Sequence, residues 1–374
     1  MLRILLSAIL FLAALPANAL AQTPGTLISA DPVPGGPEAT RSWRIAYWTS
    51  DARGRAIRVT GMIVAPRDRA PAPRRVIAWA HGTWGVVERC APSLSANFWS
   101  ATPALADMLA RGYLVVAPDY PGLGSPMPHP YLVGTDTARS VLDAVRAARS
   151  LPEARAGRDF AVWGESQGGH AALWTATEAA RYAPELRLVG TAAAAPPTDL
   201  PANLRSGSDL NVRAMLAAYA AYSWSQHFGH PLSSLFNKTN AGVATRLARN
   251  NCVELGKNPR IGTILGILSI RNALRSKDMG RIEPWAGIAR ANSVLPRAVP
   301  GPLLIAQAGD DTVVAPAVTR SFAVQRCRSG APLRYVALSS GGHAGVTRGS
   351  ATATLDWLDA RFAGERPPSD CGRI

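Results

Sequence analysis

Ser166 lies in the pentapeptide Gly164–Gly168, which has the pattern G-x-S-x-G. The apolar run Phe160–Trp163 precedes it and the helical pattern Gly168–Tyr182 follows, so the serine falls at a predicted strand-to-helix turn. Such a turn strains the serine backbone, and the flanking glycines let strand and helix approach closely. We therefore expect Ser166 to be a nucleophile at the carboxyl edge of a sheet. The alternative is an ordinary glycine-rich turn.

A serine nucleophile needs a base that takes its proton, and His343 is the strongest candidate among the six histidines. It lies in the glycine-flanked segment Ser339–Gly345, which we expect to be a loop after the last predicted strand. The alternative is a solvated loop histidine. The other histidines precede the serine, lie in the helix after it, or fall in a long segment without strands: His81, His129, His170, His227 and His230.

The base in turn needs a carboxylate that orients its ring and stabilises the imidazolium. Asp310 and Asp311 follow the apolar run Leu303–Ala306. We prefer Asp311 because it stands directly before a Thr-Val-Val turn, which leaves Asp310 as a surface or supporting residue. The chain order Ser166, Asp311, His343 is that of an α/β-hydrolase triad.

A serine hydrolase also needs N–H groups that stabilise the oxyanion of the tetrahedral intermediate. The backbone N–H of Gln167, directly after the nucleophile, is the first expected donor. We assign the second to Thr83, in the turn His81–Gly85 that follows the apolar run Val76–Ala80, and its hydroxyl would assist. The alternative for this turn is a tight bend that only requires glycine.

These candidates fall at the ends of short apolar runs that alternate with helical patterns. Buried parallel strands are predicted at Val76–Ala80, Tyr113–Ala117, Phe160–Trp163, Leu188–Ala194, Leu303–Ala306 and Leu333–Leu338, after a hairpin of Trp43–Thr49 and Ala56–Val64. Helices are predicted at Pro103–Arg111, Thr135–Arg149, Gly168–Tyr182, Ala315–Arg326 and Ser350–Phe362. The alternation predicts an α/β-hydrolase fold, with a mostly parallel, doubly wound sheet and an inserted helical cap.

Residues 199–296 carry no convincing strand pattern and are too numerous for a structureless loop. We therefore expect them to form the helical cap, inserted into a core of residues 22–198 and 297–374. Met215–Trp224 and Ile261–Ile270 are apolar enough to wall an acyl-binding channel. The alternative is that both segments only form the interior of the cap.

The first 21 residues predict a secretory signal peptide. Arg3 gives a short positive region, Ile4–Leu15 is almost wholly apolar, and Ala19-Leu20-Ala21 is a small-x-small cleavage site. The apolar run is shorter than the about 20 residues of a membrane span. We therefore expect a protein that is secreted or periplasmic.

The four cysteines are even in number and lack C-x-x-C spacing, which in an exported protein predicts two disulfides rather than a metal site. Three pairings are possible. Cys327 and Cys371 both lie near the C-terminus, and Cys90 and Cys252 both fall in loop-rich segments expected near the site, so we favour these two pairs. The alternative is free buried thiols.

The composition is that of a folded protein, since 47% of the 374 residues are hydrophobic and only 17% are charged. Arginines supply nearly all the positive charge behind the formal net charge of +15, and they are scattered singly. Proteins that bind nucleic acid cluster their cations, so we expect no nucleic-acid partner. A mild attraction to anionic surfaces is consistent with the charge.

Several motifs resemble those of the secretory lipases of the yeast lipase A type, a family with many bacterial relatives. The similarity extends from about Trp43 over the rest of the chain, and the Tyr-x-Gly-Leu-Gly and His-Pro-Tyr-Leu patterns are more specific than G-x-S-x-G. The segment His81–Thr83 departs from the yeast pattern, which has an acidic residue there. The motifs are Ala80–Thr83, Arg89–Ser93, Asp119–Gly124, His129–Leu132, Trp163–Gly169, Asp311–Val314 and Gly342-His343.

The resemblance implies an α/β-hydrolase with a helical cap and two disulfides, in which Ser166, Asp311 and His343 form the triad. It implies hydrolysis of carboxylic esters. We therefore expect a secreted serine hydrolase that cleaves acylglycerols or short to medium acyl esters through an acyl-enzyme. Neither a cofactor nor a metal is expected, and contact with a lipid surface would be transient.

Two other functions remain open. A peptidase of the same fold would use the same triad but would need acidic groups for the substrate amine, and a non-catalytic binding protein would tolerate loss of a triad residue. Ser166, Asp311 and His343 are all present in order. The predicted cap offers no clustered pair of acids, only Asp209, Glu254, Asp278 and Glu283.

Overall fold

The computed structural model describes residues 22–68, 73–253 and 258–374. The predicted signal peptide, residues 1–21, lies outside these ranges.

A nine-stranded sheet runs through the molecule in the order β1-β2-β3-β5-β4-β6-β7-β8-β9. β1, β2, β3 and β5 pair antiparallel in succession, whereas the strands from β5 through β4 to β9 pair parallel. The strands are β1 Leu27–Pro32, β2 Thr40–Ser50, β3 Ala56–Pro66, β4 Arg74–Ala80, β5 Leu114–Pro118, β6 Ala156–Glu165, β7 Arg187–Ala194, β8 Leu303–Ala308 and β9 Leu333–Leu338.

Every predicted strand is present, and two details differ from the prediction. β1 is not predicted, because it lies in a lead-in rich in proline and glycine, and only pairing with β2 makes it a strand. β9 is mostly half-buried rather than buried, because it is the edge strand and pairs only with β8.

The described helices are α1 Phe98–Ala101, α2 Leu105–Ala110, α3 Gly134–Arg149, α4 Gln167–Tyr182, α5 Leu200–Ser206, α6 Leu210–Phe228, α7 Lys238–Asn250, α8 Ile261–Ala273, α9 Trp285–Ala291, α10 Pro316–Arg328, α11 Gly342–Gly349 and α12 Ala351–Phe362. All five predicted core helices are present. α11 is not predicted.

Both faces of the sheet are covered, since successive strand side chains point to opposite sides. In β4, Val76 and Ala78 join the apolar core that contains α3 and α4. Ile77 and Trp79 join the opposite core, which contains α2 and α12. Trp79 meets Trp163 of β6 edge to face, with ring centroids 5.5 Å apart. The buried β4 and β6 thus form the rigid centre of the sheet.

The helices α5 to α9 occupy the interval between β7 and β8, and we call them the cap. They share a separate apolar core that includes the fully buried Tyr219, Trp224 and Trp285. In the part of the chain that the structure describes, no helix is both long and apolar enough to cross a bilayer.

Two disulfides join distant parts of the chain. Cys90, in the loop after β4, is bonded to Cys252 just after α7, so this bridge ties the cap to the core. Cys327 of α10 is bonded to Cys371 in the C-terminal tail. These are the two pairs that the sequence favours.

We predict that the exported protein, denatured without reductant, contains no free thiol. Replacing Cys90 and Cys252 together by serine should lower the free energy of unfolding by about 2–5 kcal/mol, because the bridge closes a loop of 162 residues in the unfolded chain. Alkylation with mass spectrometry and urea unfolding measure the two effects. Alkylation of two or more cysteines in the unreduced protein would contradict the prediction.

Candidate active site

Ser166 occupies the sharp turn between β6 and α4. Its backbone φ is +52°, an unfavourable value for a residue with a side chain, and its N–H donates to the carbonyl of Ala194 at 2.8 Å. Glycine is required on both sides. A Cβ on Gly164 would lie 2.1 Å from the carbonyl oxygen of Gly168, and a Cβ on Gly168 would lie 1.9 Å from that of Ala80. The packing of β4 against the turn therefore holds the serine at the carboxyl edge of the sheet.

Asp311 and His343 are joined by a hydrogen bond of 2.8 Å between Oδ2 and Nδ1. The carboxylate is fully buried, and its Oδ1 accepts from the backbone N–H groups of Val313 and Val314, each at 2.9 Å. Burial raises the pKa of Asp311, but the bond from His343 and the two backbone N–H groups outweigh burial and hold this pKa below its ordinary value. Asp311 is thus an ionised acceptor that fixes the proton of His343 on Nδ1.

Asp310 has a different set of partners. It is exposed, and its two oxygens accept from the backbone N–H groups of Gly341 and Gly342, at 3.2 and 2.8 Å. These N–H groups lie immediately before His343. Asp310 therefore supports the backbone that carries the histidine and does not contact its ring.

The predicted loop around His343 is wrong in part, because this residue lies in the first turn of α11. Three glycines between residues 341 and 345 hide the helical pattern in the sequence. Gly341 and Gly342 take positive φ values of 126° and 57°, which turn the chain from β9 into the helix. The histidine is consequently held by a short helix rather than by a flexible segment.

α11 packs against the serine turn. Thr347 donates to Oε2 of Glu165, the residue before Ser166, at 2.8 Å. The Nε2 of His343 has no hydrogen-bond partner among the described residues, and no hydrogen bond joins it to Ser166. Such bonds are often long before a substrate binds. The structure thus brings Asp311 and His343 into contact and holds α11 beside the serine.

The two expected oxyanion donors lie on either side of this turn. Gln167 is the first residue of α4, where a backbone N–H has no partner within the helix. Thr83 lies in the loop after β4, and Gly168 packs directly under the start of this loop at Ala80. The hydroxyl groups of Thr83 and Tyr131 form a hydrogen bond of 2.9 Å.

His129 has a structural role that was not predicted from the sequence. Its Nδ1 is 2.7 Å from the carbonyl of Pro121 and must carry the proton, so Nε2 accepts from the side-chain amide of Gln167 at 3.1 Å. Burial lowers the pKa of His129 to about 3 and that of His81 to about 4, so both rings are neutral at pH 7. The position of His129 in the His-Pro-Tyr-Leu motif is the sequence signal that could have identified this role.

The same motif anchors the cap. The backbone N–H of Tyr131 donates to Oγ of Ser223 at 2.8 Å, and its carbonyl accepts from the indole of Trp224 at 2.7 Å. Both partners belong to α6. The motif that contacts Gln167 beside Ser166 therefore also anchors the cap.

A largely apolar cavity lies between the serine turn and the cap. Asp209 and Arg213 are its charged lining residues. Asp209 is engaged as the N-cap of α6, accepting from the N–H groups of Asn211 and Val212. The lining is Tyr131, Leu132, Ser166, Gln167, Pro197, Leu200, Asn203, Leu204, Asp209, Arg213, Leu216, Ala220, Trp224, Val313 and Val314.

Only one of the two segments expected to wall a channel lines this cavity. Leu216, Ala220 and Trp224 of α6 border it, whereas no residue of Ile261–Ile270 does. That segment forms α8, which packs on the outer side of α6 and α7. In the described ranges, no group of three or more histidine, cysteine, aspartate or glutamate side chains is arranged to hold a metal ion.

We predict that buried neutral histidines make the fold acid-sensitive. Burial lowers the pKa of His170 to about 4, whereas a histidine in the unfolded chain has a pKa of about 6.5. Below about pH 6.5 the unfolded chain therefore binds a proton that the folded protein does not bind, and the free energy of unfolding falls. His170→Gln keeps a donor toward the carbonyl of Asn292 but cannot titrate. Between pH 7 and pH 5 the variant should lose about 2 kcal/mol less unfolding free energy than the wild type. Equal losses in urea unfolding would contradict this.

Comparison with known proteins finds lipases among the similar sequences. A family model described as secretory lipase matches residues 99–253. Lipase 4 of Candida albicans is 26% identical over 89% of this chain and 75% of its own. A Mycobacterium tuberculosis protein named a probable inactive lipase is also 26% identical, over 88% of this chain and 75% of its own.

Solved structures share the architecture. Candida antarctica lipase A superimposes with a TM-score of 0.74 at 19% identity, over 96% of this chain and 86% of its own. A rice cell wall degrading esterase from Xanthomonas oryzae also gives 0.74, at 20% identity, over 92% of this chain and all of its own. The predicted α/β-hydrolase fold is confirmed. The chain is thus similar in sequence to secretory lipases and shares the fold of α/β-hydrolase lipases and esterases.

Proposed function

We propose that the protein is a serine hydrolase of carboxylic esters that works through an acyl-enzyme. The observation that carries the proposal is the bond between Asp311 and His343 at the same sheet edge as the strained Ser166, and Ser166 itself borders a largely apolar cavity. A carboxylate on Nδ1 of an imidazole leaves Nε2 to act as a base. Secretory lipase relatives support ester hydrolysis as the reaction class.

Acylation begins when Oγ of Ser166 attacks the ester carbonyl carbon and Nε2 of His343 takes the hydroxyl proton. The carbonyl oxygen becomes an oxyanion, which the backbone N–H of Gln167 and a donor at Thr83 stabilise. As the intermediate collapses, the bond to the alcohol oxygen breaks, and the imidazolium returns the proton to the leaving alcohol. Asp311 stabilises the positive charge on the ring while the intermediate exists.

Deacylation repeats these steps with water. His343 takes a proton from the water as its oxygen attacks the acyl carbon, and the same donors hold the second oxyanion. Collapse breaks the bond to Oγ of Ser166, which recovers the proton, and the carboxylic acid leaves. The only groups required are side chains and backbone N–H groups of this chain.

The cavity favours acyl chains as ligands. Leu132, Leu200, Leu204 and Leu216 supply apolar wall beside Ser166, and such a wall binds hydrocarbon without charge or hydrogen bonds. This wall supports the proposal that the substrates are acylglycerols or esters with short to medium acyl chains.

A peptidase is less well supported. A substrate amine would need a free carboxylate in the cavity, and the lining acid Asp209 already accepts two backbone N–H bonds at the start of α6. A non-catalytic protein is the other alternative, and the Mycobacterium tuberculosis relative is named a probable inactive lipase. Hydrolysis of p-nitrophenyl esters, measured beside an aminoacyl anilide, separates these possibilities.

We also propose that the protein acts outside the cytoplasm, as a secreted or periplasmic enzyme. Two disulfides support this, because such bonds form and persist in oxidising compartments. The secretory character of the matching family supports it as well.

Ser166→Ala should lower kcat on p-nitrophenyl butyrate by about five orders of magnitude, because binding and oxyanion stabilisation alone retain little of the rate. The melting temperature should stay within a few degrees of the wild type. Ser233→Ala, at an exposed position in the cap, is the matched control and should keep full activity. Substantial turnover by a folded Ser166→Ala variant would refute the proposal.

The adjacent aspartates provide a second test. Asp311→Asn should lower kcat by about four orders of magnitude, since an amide no longer fixes the ring proton or stabilises the imidazolium. Asp310→Asn retains an oxygen that accepts from Gly342, so it should lose less than about tenfold. Activity of both variants is measured on the same ester. If Asp310→Asn were the crippled variant, the assignment of the acid would be wrong.

A further inference from the structure

α8 presents an apolar stripe to solvent on the outside of the cap. Ile261, Ile264 and Leu265 are 77%, 44% and 62% exposed. Together with the half-buried Leu268 they follow the spacing i, i+3, i+4 and i+7, which puts them on one face of the helix. Contiguous exposed apolar residues of this kind mark contact surfaces.

The opposite face of α8 already has its packing partners. Ile270 is fully buried in the core of the cap, and Ile267 and Leu274 pack against that core. A helix that is apolar all round is normally covered on every side. The exposed stripe is therefore not needed to fold the cap, and it remains available to a partner.

Two arginines lie beside the stripe. Arg246 and Arg260 border the same groove as Leu265, so cations and apolar side chains share one surface. The described residues 238–253 and 258–277 contain no acid, and none of their cations forms an ion pair within the described chain. These cations are Lys238, Arg246, Arg249, Arg260, Arg271, Arg275 and Lys277. We call the stripe and the flanking cations the α8 surface.

We propose that the α8 surface docks onto an anionic lipid surface. Apolar side chains flanked by arginine are the combination that inserts into a headgroup layer and attracts negative headgroups. A second copy of this chain is disfavoured as the partner, because two α8 surfaces placed face to face would bring Arg246 and Arg260 of one copy close to those of the other.

The α8 surface is connected to the proposed active site, and this part of the inference rests on the proposed function. Arg271 of α8 donates to the side chain of Asn211 at the start of α6. A second cavity, bordered by Leu274 and Lys277, shares Leu204 and Arg213 with the cavity at Ser166. Docking through α8 would thus bring lipid to the side of the cap next to the ester-binding cavity.

The test measures co-sedimentation of the full mature chain, carrying Ser166→Ala so that no lipid is hydrolysed, with two kinds of vesicle. Binding to mixed phosphatidylcholine and phosphatidylglycerol should be at least about tenfold stronger than to phosphatidylcholine alone, and high salt should remove the difference. Ile261→Gln with Leu265→Gln should weaken binding to the mixed vesicles at least about tenfold. Arg246→Gln with Arg260→Gln should reduce the preference for anionic vesicles.

Leu295→Gln with Arg297→Gln is the matched control, since it makes the same kinds of change at exposed positions outside the α8 surface, and binding should not change. The proposal is overturned if the Ile261 and Leu265 double variant binds as well as its parent. Light scattering that shows a dimer abolished by the same double variant would overturn it in favour of a second copy.

A soluble p-nitrophenyl ester separates this inference from the proposed function. With Ser166 intact, the α8 double variants should hydrolyse it at the wild-type rate. Vesicle binding without any ester hydrolysis would refute only the proposed function, whereas hydrolysis without vesicle binding would refute only the docking surface.

Discussion

The site depends on one close contact, between the backbone of β4 and the turn that carries Ser166. Gly168 lies so near the carbonyl of Ala80 that any side chain there would collide with the backbone of Ala80 and His81. A positive φ at a serine costs about 1–3 kcal/mol, and it persists only where the surroundings allow no other conformation. β4 and β6, paired in parallel and buried on both faces, provide that rigidity. The fold thus holds the serine in place before any substrate binds.

Carboxylates position the other half of the site. Asp311 orients the ring of His343, and Asp310 holds the backbone that leads into α11. These two adjacent aspartates thus hold the same histidine, Asp311 by its ring and Asp310 by the main chain before it. His129 serves the serine side in a comparable way, since its neutral ring fixes Gln167 and its motif anchors α6. The cap and the sheet edge at Ser166 are therefore held by the same residues, so a substitution in this motif should disturb both.

Local patterns predicted eight of the nine described strands and placed Asp311 and His343, which are in contact, after two of them. Buried strands such as Val76–Ala80 are short apolar runs, and the order of Ser166, Asp311 and His343 follows from where those runs end. The misses have physical causes. β1 exists only through pairing with β2, α11 is hidden by its glycines, and α8 looked like an inner wall because apolarity alone does not tell which face a helix exposes. The support from His129 depends on contacts between residues far apart in sequence.

Covalent labelling can show whether Ser166 is a nucleophile activated by His343. The mature wild-type protein is treated with a fluorophosphonate, and the intact mass and the modified peptide are determined. The account predicts a single adduct, on the peptide that contains Ser166, formed far more slowly when His343 is replaced by alanine. A folded protein that takes up no label, or takes it up on another serine, would contradict the account.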